Sequence, residues 1–401
     1  MRIQRANSRF SFRTRRRRTG CLPWALLIGV IVGTLAMSWT WLERRLTSVA
    51  APQTEPGDLV TGARDAFARG DLDQAITLAR QALELAPQRP DALVLLARSL
   101  IYRSYVDYDT EQDRVAALEL TREAIALNPD ELDLRATHAF ALMANRQPAA
   151  AADAAEWVLE RSPEHAFART GLALAYGVAG SYEIALRESL RAVRSNPGLV
   201  DAQRALAISY ADNGNYDSAI RTVEIALTIN NRLIPLYFER ALYALQIGDA
   251  DAATAAYMQV LTLDNGNVKA RLRLCELSSL LREREAAIGY CSQVTQLAPT
   301  WADGWFQLGR EYFLQGNFEA AQRNLNQCAR LQVMQGVAVE ERRFECWYLQ
   351  GQAAEIRGDC DALIATYNEF RAMALNSAIE QTWTYPPEGP PGCTGAAGSS
   401  P

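Results

Sequence analysis

The chain has 401 residues, 49% of them hydrophobic, which is enough for several domains or for one extended array with a buried core. The net charge of −5 is unevenly distributed: residues 1–45 hold ten arginines and one acidic residue, which leaves about −14 on the remainder. An acidic body repels backbone phosphates, and this argues against a nucleic-acid partner.

Residues 22–42 are an uncharged, largely apolar stretch near the N-terminus. A helix of this length spans about 30 Å, the thickness of a bilayer core, so the stretch is predicted to be a transmembrane helix. Eight arginines precede it and two follow it. The positive-inside bias therefore places a basic tail, residues 1–21, in the cytoplasm and the body outside it. Residues 43–56 are predicted to be a linker.

A cleaved signal peptide is the alternative interpretation of this stretch. Small residues near Ala50 provide a possible cleavage site, although Pro52 follows closely. The apolar run is longer than the core of a typical signal peptide, and this favours an uncleaved signal-anchor.

A fixed interval organises the chain beyond residue 56. Predicted helices end at positions that are 34 residues apart after one first spacing of 42: Pro87, Pro129, Pro163, Pro197, Asn231, Asn265, Pro299 and Val333. Such regularity is typical of a repeat architecture in which each unit is one supersecondary element. Where the interval ends in proline, that residue stops one helix before the next unit begins.

Each unit is predicted to consist of two antiparallel helices. Glycine adopts the left-handed conformation that a tight chain reversal needs, and it marks the turn at Gly70, Gly180, Gly214, Gly248, Gly316 and Gly358. Pairs of small residues twelve positions apart would let the two helices approach closely: Ala173 and Ala185, Ala207 and Ala219, Ala241 and Ala253, Gly309 and Ala321.

These positions resemble the signature of the tetratricopeptide-repeat family. The eighth unit matches it best, with Trp305, Leu308, Gly309, Tyr312, Gly316, Phe318, Ala321 and Leu325. Nine units fit between residues 57 and 376. The resemblance implies an all-α fold, a right-handed superhelical solenoid whose concave face is lined by the first helix of each unit.

Two segments depart from the interval. About eight residues are added around 102–113 in the second unit, and about eight around 332–341 between the eighth and ninth units. Both are predicted to be loops or helix extensions. The tail, residues 377–401, is rich in proline, glycine and serine and is predicted to be flexible.

The concave face is predicted to be a groove for a protein partner. Apolar residues dominate the positions that face inward: Phe140, Met143, Leu174, Ile208, Phe238, Leu242, Leu245, Phe306 and Phe313, with Arg310. A long exposed apolar stripe favours a bound peptide or amphipathic helix. The alternative is that tight winding buries these side chains against their neighbours. The resemblance offers no chaperone-type clamp, because its lysine and asparagine pattern is missing.

Six cysteines fall within the predicted external body, an even number that suits disulfide bonding. Cys275 and Cys291 lie eight residues to either side of the turn of the seventh unit, so antiparallel helices would bring them together. The connectivity of the other four stays open; Cys328 with Cys346 and Cys360 with Cys393 is a guess by elimination. Buried reduced thiols are the alternative.

The sequence contains no recognisable catalytic motif, and we expect no enzyme activity, cofactor or metal site. His138 and His165 are predicted to be structural. The acidic residues of the first insertion lack the glycine and distal glutamate of a calcium loop. The leading hypothesis is a membrane-anchored scaffold. An accessory subunit that presents substrate to a membrane glycosyltransferase or protease is the alternative, and an enzyme with its site in the 103–112 insertion is a weaker third.

Overall fold

A computed structural model of the chain describes residues 55–374, 383–385, 390 and 393. The described residues form eighteen α-helices, two for each of the nine predicted units. In chain order they are α1 Pro56–Ala68, α2 Leu72–Leu85, α3 Pro90–Arg103, α4 Asp113–Leu127, α5 Leu132–Ala144, α6 Pro148–Arg161, α7 Ala166–Val178, α8 Tyr182–Ser195, α9 Val200–Asp212, α10 Tyr216–Ile229, α11 Ile234–Gln246, α12 Ala250–Leu263, α13 Val268–Leu280, α14 Arg284–Leu297, α15 Ala302–Gln315, α16 Phe318–Met334, α17 Glu345–Arg357 and α18 Cys360–Ala374.

The turns inside the units follow the predicted chemistry. All six predicted turn glycines have a positive φ, while Arg146 and Arg282 occupy this conformation in the third and seventh units. The next helix is then capped by a side chain in several units. Asn215, for example, accepts a hydrogen bond from the backbone N–H of Ser218, which satisfies an otherwise unpaired donor at the helix N-terminus.

The small residues predicted to allow close helix packing do so. Ala207 and Ala219 are both fully buried, as are the alanines at the equivalent places in neighbouring units. A Cβ atom added to Gly309 would lie 2.6 Å from Cγ of Leu325, so this unit has room for glycine alone. The close approach of the paired helices follows from these residue sizes.

The two segments that depart from the interval have different structures. The first, between α3 and α4, is a loop, which we call the insertion loop (residues 104–112). The second lengthens α16 to Met334 and adds a short 3-10 helix at Val339–Glu341.

The array closes on itself, which the repeat pattern does not predict. Phe67 and Tyr102 of the first two units share a buried apolar cluster with Leu233 and Leu236, which lie at the start of the sixth unit. The side-chain amide of Asn230 also donates to the backbone carbonyl of Phe67 at 2.9 Å. The first units are therefore packed against the middle of the array.

The predicted transmembrane helix at 22–42 lies outside the described residues. Within the described ranges, no helix combines the length and the apolar character needed to cross a bilayer.

Candidate binding cleft

The insertion loop crosses from the second unit to the seventh. Both carboxylate oxygens of Asp107 accept hydrogen bonds from the N-terminus of α13, at 2.8 Å from the backbone N–H of Val268 and 2.9 Å from that of Lys269. The side chain of Asn267 donates to the carbonyl of Val106 at 3.0 Å. Asp107 thus satisfies helix donors that would otherwise lack partners, about 160 residues further along the chain.

Two further contacts hold the insertion loop against the array. The Tyr108 ring stacks on Trp301 with centroids 4.6 Å apart, and this reaches the start of the eighth unit. The Lys269 ammonium donates to the carbonyl of Tyr105 at 2.9 Å. The loop is therefore a strap across the array rather than a free surface loop.

The base of the strap is fixed by buried charges. Asp201 on α9 is almost fully buried, forms an ion pair with Arg98 and accepts a hydrogen bond from the Tyr102 hydroxyl at 3.0 Å. Arg103, which directly precedes the loop, bridges Asp113, which directly follows it, and the exposed Asp73. These pairs join the second unit to the fifth and to the first.

Between the strap and helices α9, α11, α12 and α13 lies a cavity of about 460 Å³. We call it the binding cleft; it is lined by Tyr105, Arg204, Pro235, Phe238, Glu239, Leu242, Leu245, Tyr257, Lys269, Arg273, Glu276, Leu277 and Leu280. Its floor is apolar, and two of its leucines stay open to solvent: Leu242 is 51% exposed and Leu280 is 73% exposed. Exposed aliphatic side chains beside a concave, mostly apolar surface are typical of a binding site.

Helix spacing explains why the cleft forms here. The first helices of successive units are in direct contact from the first unit to the fifth, and again, more sparsely, from the seventh to the ninth. The corresponding contacts of α11, with α9 before it and with α13 after it, are weak or missing. A gap therefore opens along α11, beside the strap.

The polar end of the cleft contains two ion pairs and Lys269, which forms no ion pair with the residues that the structure describes. Arg204 lies 2.6 Å from Glu239, and Arg273 lies 2.6 Å from Glu276. Burial raises the pKa of Glu239 and outweighs the opposing effect of Arg204. Burial, together with Arg273, lowers the pKa of Lys269, whose ammonium also lies 4.8 Å from the centroid of the Phe238 ring.

The ten residues predicted to line a concave groove do not share one open surface. Three of them, Phe238, Leu242 and Leu245, line the binding cleft. Phe140 is buried and stacked on Phe167 at 4.2 Å. The others lie elsewhere on the first helices: Phe306 is buried, and partly buried are Met143, Leu174, Ile208, Arg310 and Phe313.

Sequence reasoning did not identify Tyr105, Lys269 and Leu280 as parts of a site. One signal was available, because Lys269 is the only lysine in a chain rich in arginine. Tyr105 could not be assigned, since nothing local indicates that the insertion loop reaches the seventh unit.

The two histidines have structural contacts. His138 Nδ1 lies 2.8 Å from the Thr121 hydroxyl inside the third unit. His165 accepts a hydrogen bond from the backbone N–H of Ala168 at the start of α7 and lies 3.1 Å from Asp133. Across the part of the chain that the structure describes, no cluster of metal-ligating side chains occurs.

The six cysteines of the described region are joined in three disulfides, Cys275–Cys291, Cys328–Cys346 and Cys360–Cys393. The first joins the two helices of the seventh unit, with Cα atoms 5.3 Å apart. The third connects the tail to α18. Trp383, in the same tail, is buried against the last unit.

The strap leads to a first prediction. Asp107→Ala should lower the free energy of unfolding by about 1–2 kcal/mol, because two backbone donors of α13 lose their acceptor. Urea unfolding measures the loss, and hydrogen exchange should show faster exchange at Val268 and Lys269. Asp107→Asn keeps one acceptor and should lose less of the free energy of unfolding. Asp109→Ala, at an exposed site in the same loop, is the control. Equal stability of the two alanine variants would contradict the role of the strap.

Comparison with known proteins agrees with this architecture. The tetratricopeptide-repeat profile matches residues 60–101, 137–200, 170–232 and 204–268, and a second profile of the same repeat matches 302–332. The two profiles together cover about half of the chain. No curated protein sequence matches it.

Solved structures of low sequence identity share the fold. A chain of the APC/C hetero-tetramer Cut9-Hcn1 is 18% identical with a TM-score of 0.53, over 76% of this chain and 57% of that one. The human IFIT1 dimer with PPP-AAAA is 15% identical with a TM-score of 0.53, over 86% of this chain and 81% of that one. This chain therefore spans little more than half the length of the Cut9-Hcn1 chain. The repeat fold is generally a protein-interaction scaffold rather than a catalyst. From its repeat profiles and its nine helix pairs, the chain belongs to the tetratricopeptide-repeat family.

Proposed function

We propose that the protein is a membrane-anchored scaffold that holds a partner protein by taking apolar side chains of a partner segment into the binding cleft. The observation that carries this proposal is the exposure of Leu242 and Leu280 at the mouth of a 460 Å³ cavity. Outside the cleft, two of the predicted groove residues, Phe140 and Phe306, are buried, and the others are partly buried. We therefore expect the partner segment to bind at the binding cleft instead of along the concave face of all nine units.

The expected affinity is modest. Full burial of one leucine side chain contributes about 1.5–3 kcal/mol, and Leu242 and Leu280 are already partly buried. Association also costs several kcal/mol of translational and rotational freedom. A partner held by this cleft alone would exchange readily, and tighter complexes need a second contact.

The proposal is tested with a double variant, Leu242→Asp with Leu280→Asp. Both positions are exposed, so we expect the fold to tolerate the change, while a charge at the mouth of an apolar cleft should weaken partner binding at least tenfold. Quantitative capture of partners from membranes measures this against the native chain. The matched control is Leu85→Asp with Leu127→Asp, at residues that are 59% and 60% exposed and lie outside the cleft.

Equal capture by the cleft and control variants would overturn the role of the cleft. Recovery of a membrane glycosyltransferase or protease as the sole cleft-dependent partner would instead favour the accessory function.

The membrane anchor and its orientation are part of the same proposal. Support comes from the uncharged stretch at 22–42 and from the arginines concentrated before it. The three disulfides support an array outside the cytoplasm, because disulfides persist in oxidising compartments.

The orientation has its own experiment. In intact cells with any outer barrier opened, added protease should digest the array, and the native protein alkylated without reduction should show no free thiol at Cys275, Cys328 or Cys360. The control is a cytoplasmic protein that stays intact. An array that resists protease until the inner membrane is lysed would place it on the opposite side.

A further inference from the structure

The charges that line the binding cleft do not cancel. Arg204 and Glu239 form one pair and Arg273 and Glu276 form another, which leaves the positive charge of Lys269. Lys269 forms no ion pair with any carboxylate in the described part of the chain. Among the described residues its hydrogen-bond acceptor is the Tyr105 carbonyl, so the ammonium has further donors to offer.

Asp107 and Glu111 act on Lys269 electrostatically, but neither forms an ion pair with it. Both oxygens of Asp107 accept hydrogen bonds from the α13 backbone. Glu111 is exposed and pairs with Arg114 at 3.3 Å. Since an ammonium taken out of water is costly without an anion beside it, this site is electrostatically complementary to a carboxylate.

A second unsatisfied group lies in the same cleft. Oxygen Oε2 of Glu239 is buried and has no hydrogen-bond partner, while Oε1 accepts from Arg204. An unpaired buried acceptor favours a ligand that brings an N–H donor. The apolar floor formed by Phe238, Leu242 and Leu277 lies in the same cavity.

We infer that the binding cleft recognises a peptide segment in which an aliphatic side chain lies next to an acidic residue. The aliphatic group occupies the floor, a backbone N–H of the segment donates to Glu239, and the carboxylate pairs with Lys269. The high exposure of Leu242 and Leu280 leaves the cleft open, so the segment can pass through without ending there. A fatty acid would supply the anion and the apolar group but no N–H donor.

This inference rests on the proposed function and names the chemistry of the partner. The probe is the doubly capped peptide acetyl-Ser-Leu-Glu-Leu-Leu-Ser-amide, compared with versions in which glutamine replaces the glutamate or serines replace the leucines. Fluorescence anisotropy of labelled probes measures affinity for the full-length protein in detergent. We expect the glutamate peptide to bind at least tenfold more tightly than either variant.

Lys269→Met should abolish the preference for glutamate over glutamine and leave the preference for leucine over serine. Arg80→Met removes one positive charge at an exposed site on α2 and should keep both preferences. Because Lys269 is the only lysine, acetylation followed by peptide mass spectrometry gives a second readout at one side chain. Saturating glutamate peptide should slow that acetylation at least fivefold, and the glutamine peptide should not.

Equal binding of the glutamate and glutamine peptides, or binding of laurate but of no peptide, would overturn this inference. Neither result would contradict the proposed function. That proposal fails only if the double variant, Leu242→Asp with Leu280→Asp, captures as much partner as the native chain does. A preference for glutamate that survives Lys269→Met would also overturn the inference, since the anion would then be recognised elsewhere.

Discussion

Asp201→Ala is expected to lower the free energy of unfolding by about 3–5 kcal/mol, a large part of the stability of an ordinary domain. The carboxylate is buried between the second and fifth units, where it pairs with Arg98 and accepts from the Tyr102 hydroxyl. Alanine leaves a partly buried guanidinium and a buried hydroxyl without their partner. Chemical denaturation measures the loss.

The same variant should change the shape of the array. Without Asp201, α3 loses both an ion pair and a hydrogen bond to α9, so small-angle scattering should show a larger radius of gyration. Tyr105 would then leave the roof of the binding cleft, and partner binding should weaken although no cleft leucine has changed.

Two controls separate this effect from general destabilisation. Asp201→Asn keeps an acceptor for Tyr102 but loses the charge opposite Arg98. Its free energy of unfolding should therefore lie between those of the native chain and the alanine variant. Asp217→Ala removes an exposed carboxylate at the start of α10 and should have little effect. A compact native-like Asp201→Ala variant of unchanged stability would contradict the closing role of this residue.

Trp383→Ala should have the second large effect, a loss of about 3–5 kcal/mol concentrated in the ninth unit. The indole packs edge-on against Tyr367 at 5.2 Å and Phe370 at 5.1 Å. It also fills the space above Gly351, where an added Cβ would lie 2.3 Å from the ring. Terminal repeats expose an apolar face that must be covered, and Trp383 covers it here.

Hydrogen exchange measures this local loss. Amides of α17 and α18 should exchange faster in Trp383→Ala, while those of α9 to α12 should not change, because each repeat depends mainly on its neighbours. Gly351→Ala should reproduce the effect by expelling the indole. Tyr182→Ala, at a residue that is 45% exposed, is the control. Unchanged exchange in α17 and α18 would show that the tail does not cover the last unit.

Much of the fold could be predicted from the sequence because its determinants are local and repeated. A glycine at the turn, alanines on the facing helices and a stop at a fixed interval recur in most units, so each unit supports the assignment of the others. The Cys275–Cys291 pair was also accessible, since two residues equally far from a tight turn face each other on antiparallel helices. Leu242 was assigned to the concave side because it lies four residues after Phe238 and three before Leu245, a spacing that places all three on one face of the helix.

The binding cleft itself was decided by tertiary structure. Whether the predicted apolar stripe stays open depends on contacts between residues roughly 100 to 160 positions apart, such as Arg98 with Asp201 and Asp107 with Val268. No period in the sequence records these contacts, because each is made once in the array and is not repeated from unit to unit. The repeated local geometry could therefore be predicted from the sequence alone. Tertiary structure decides that Phe140 is buried against Phe167 while Leu242 and Leu280 stay exposed, because these outcomes depend on how charged and apolar groups that are distant in the sequence meet when the chain folds.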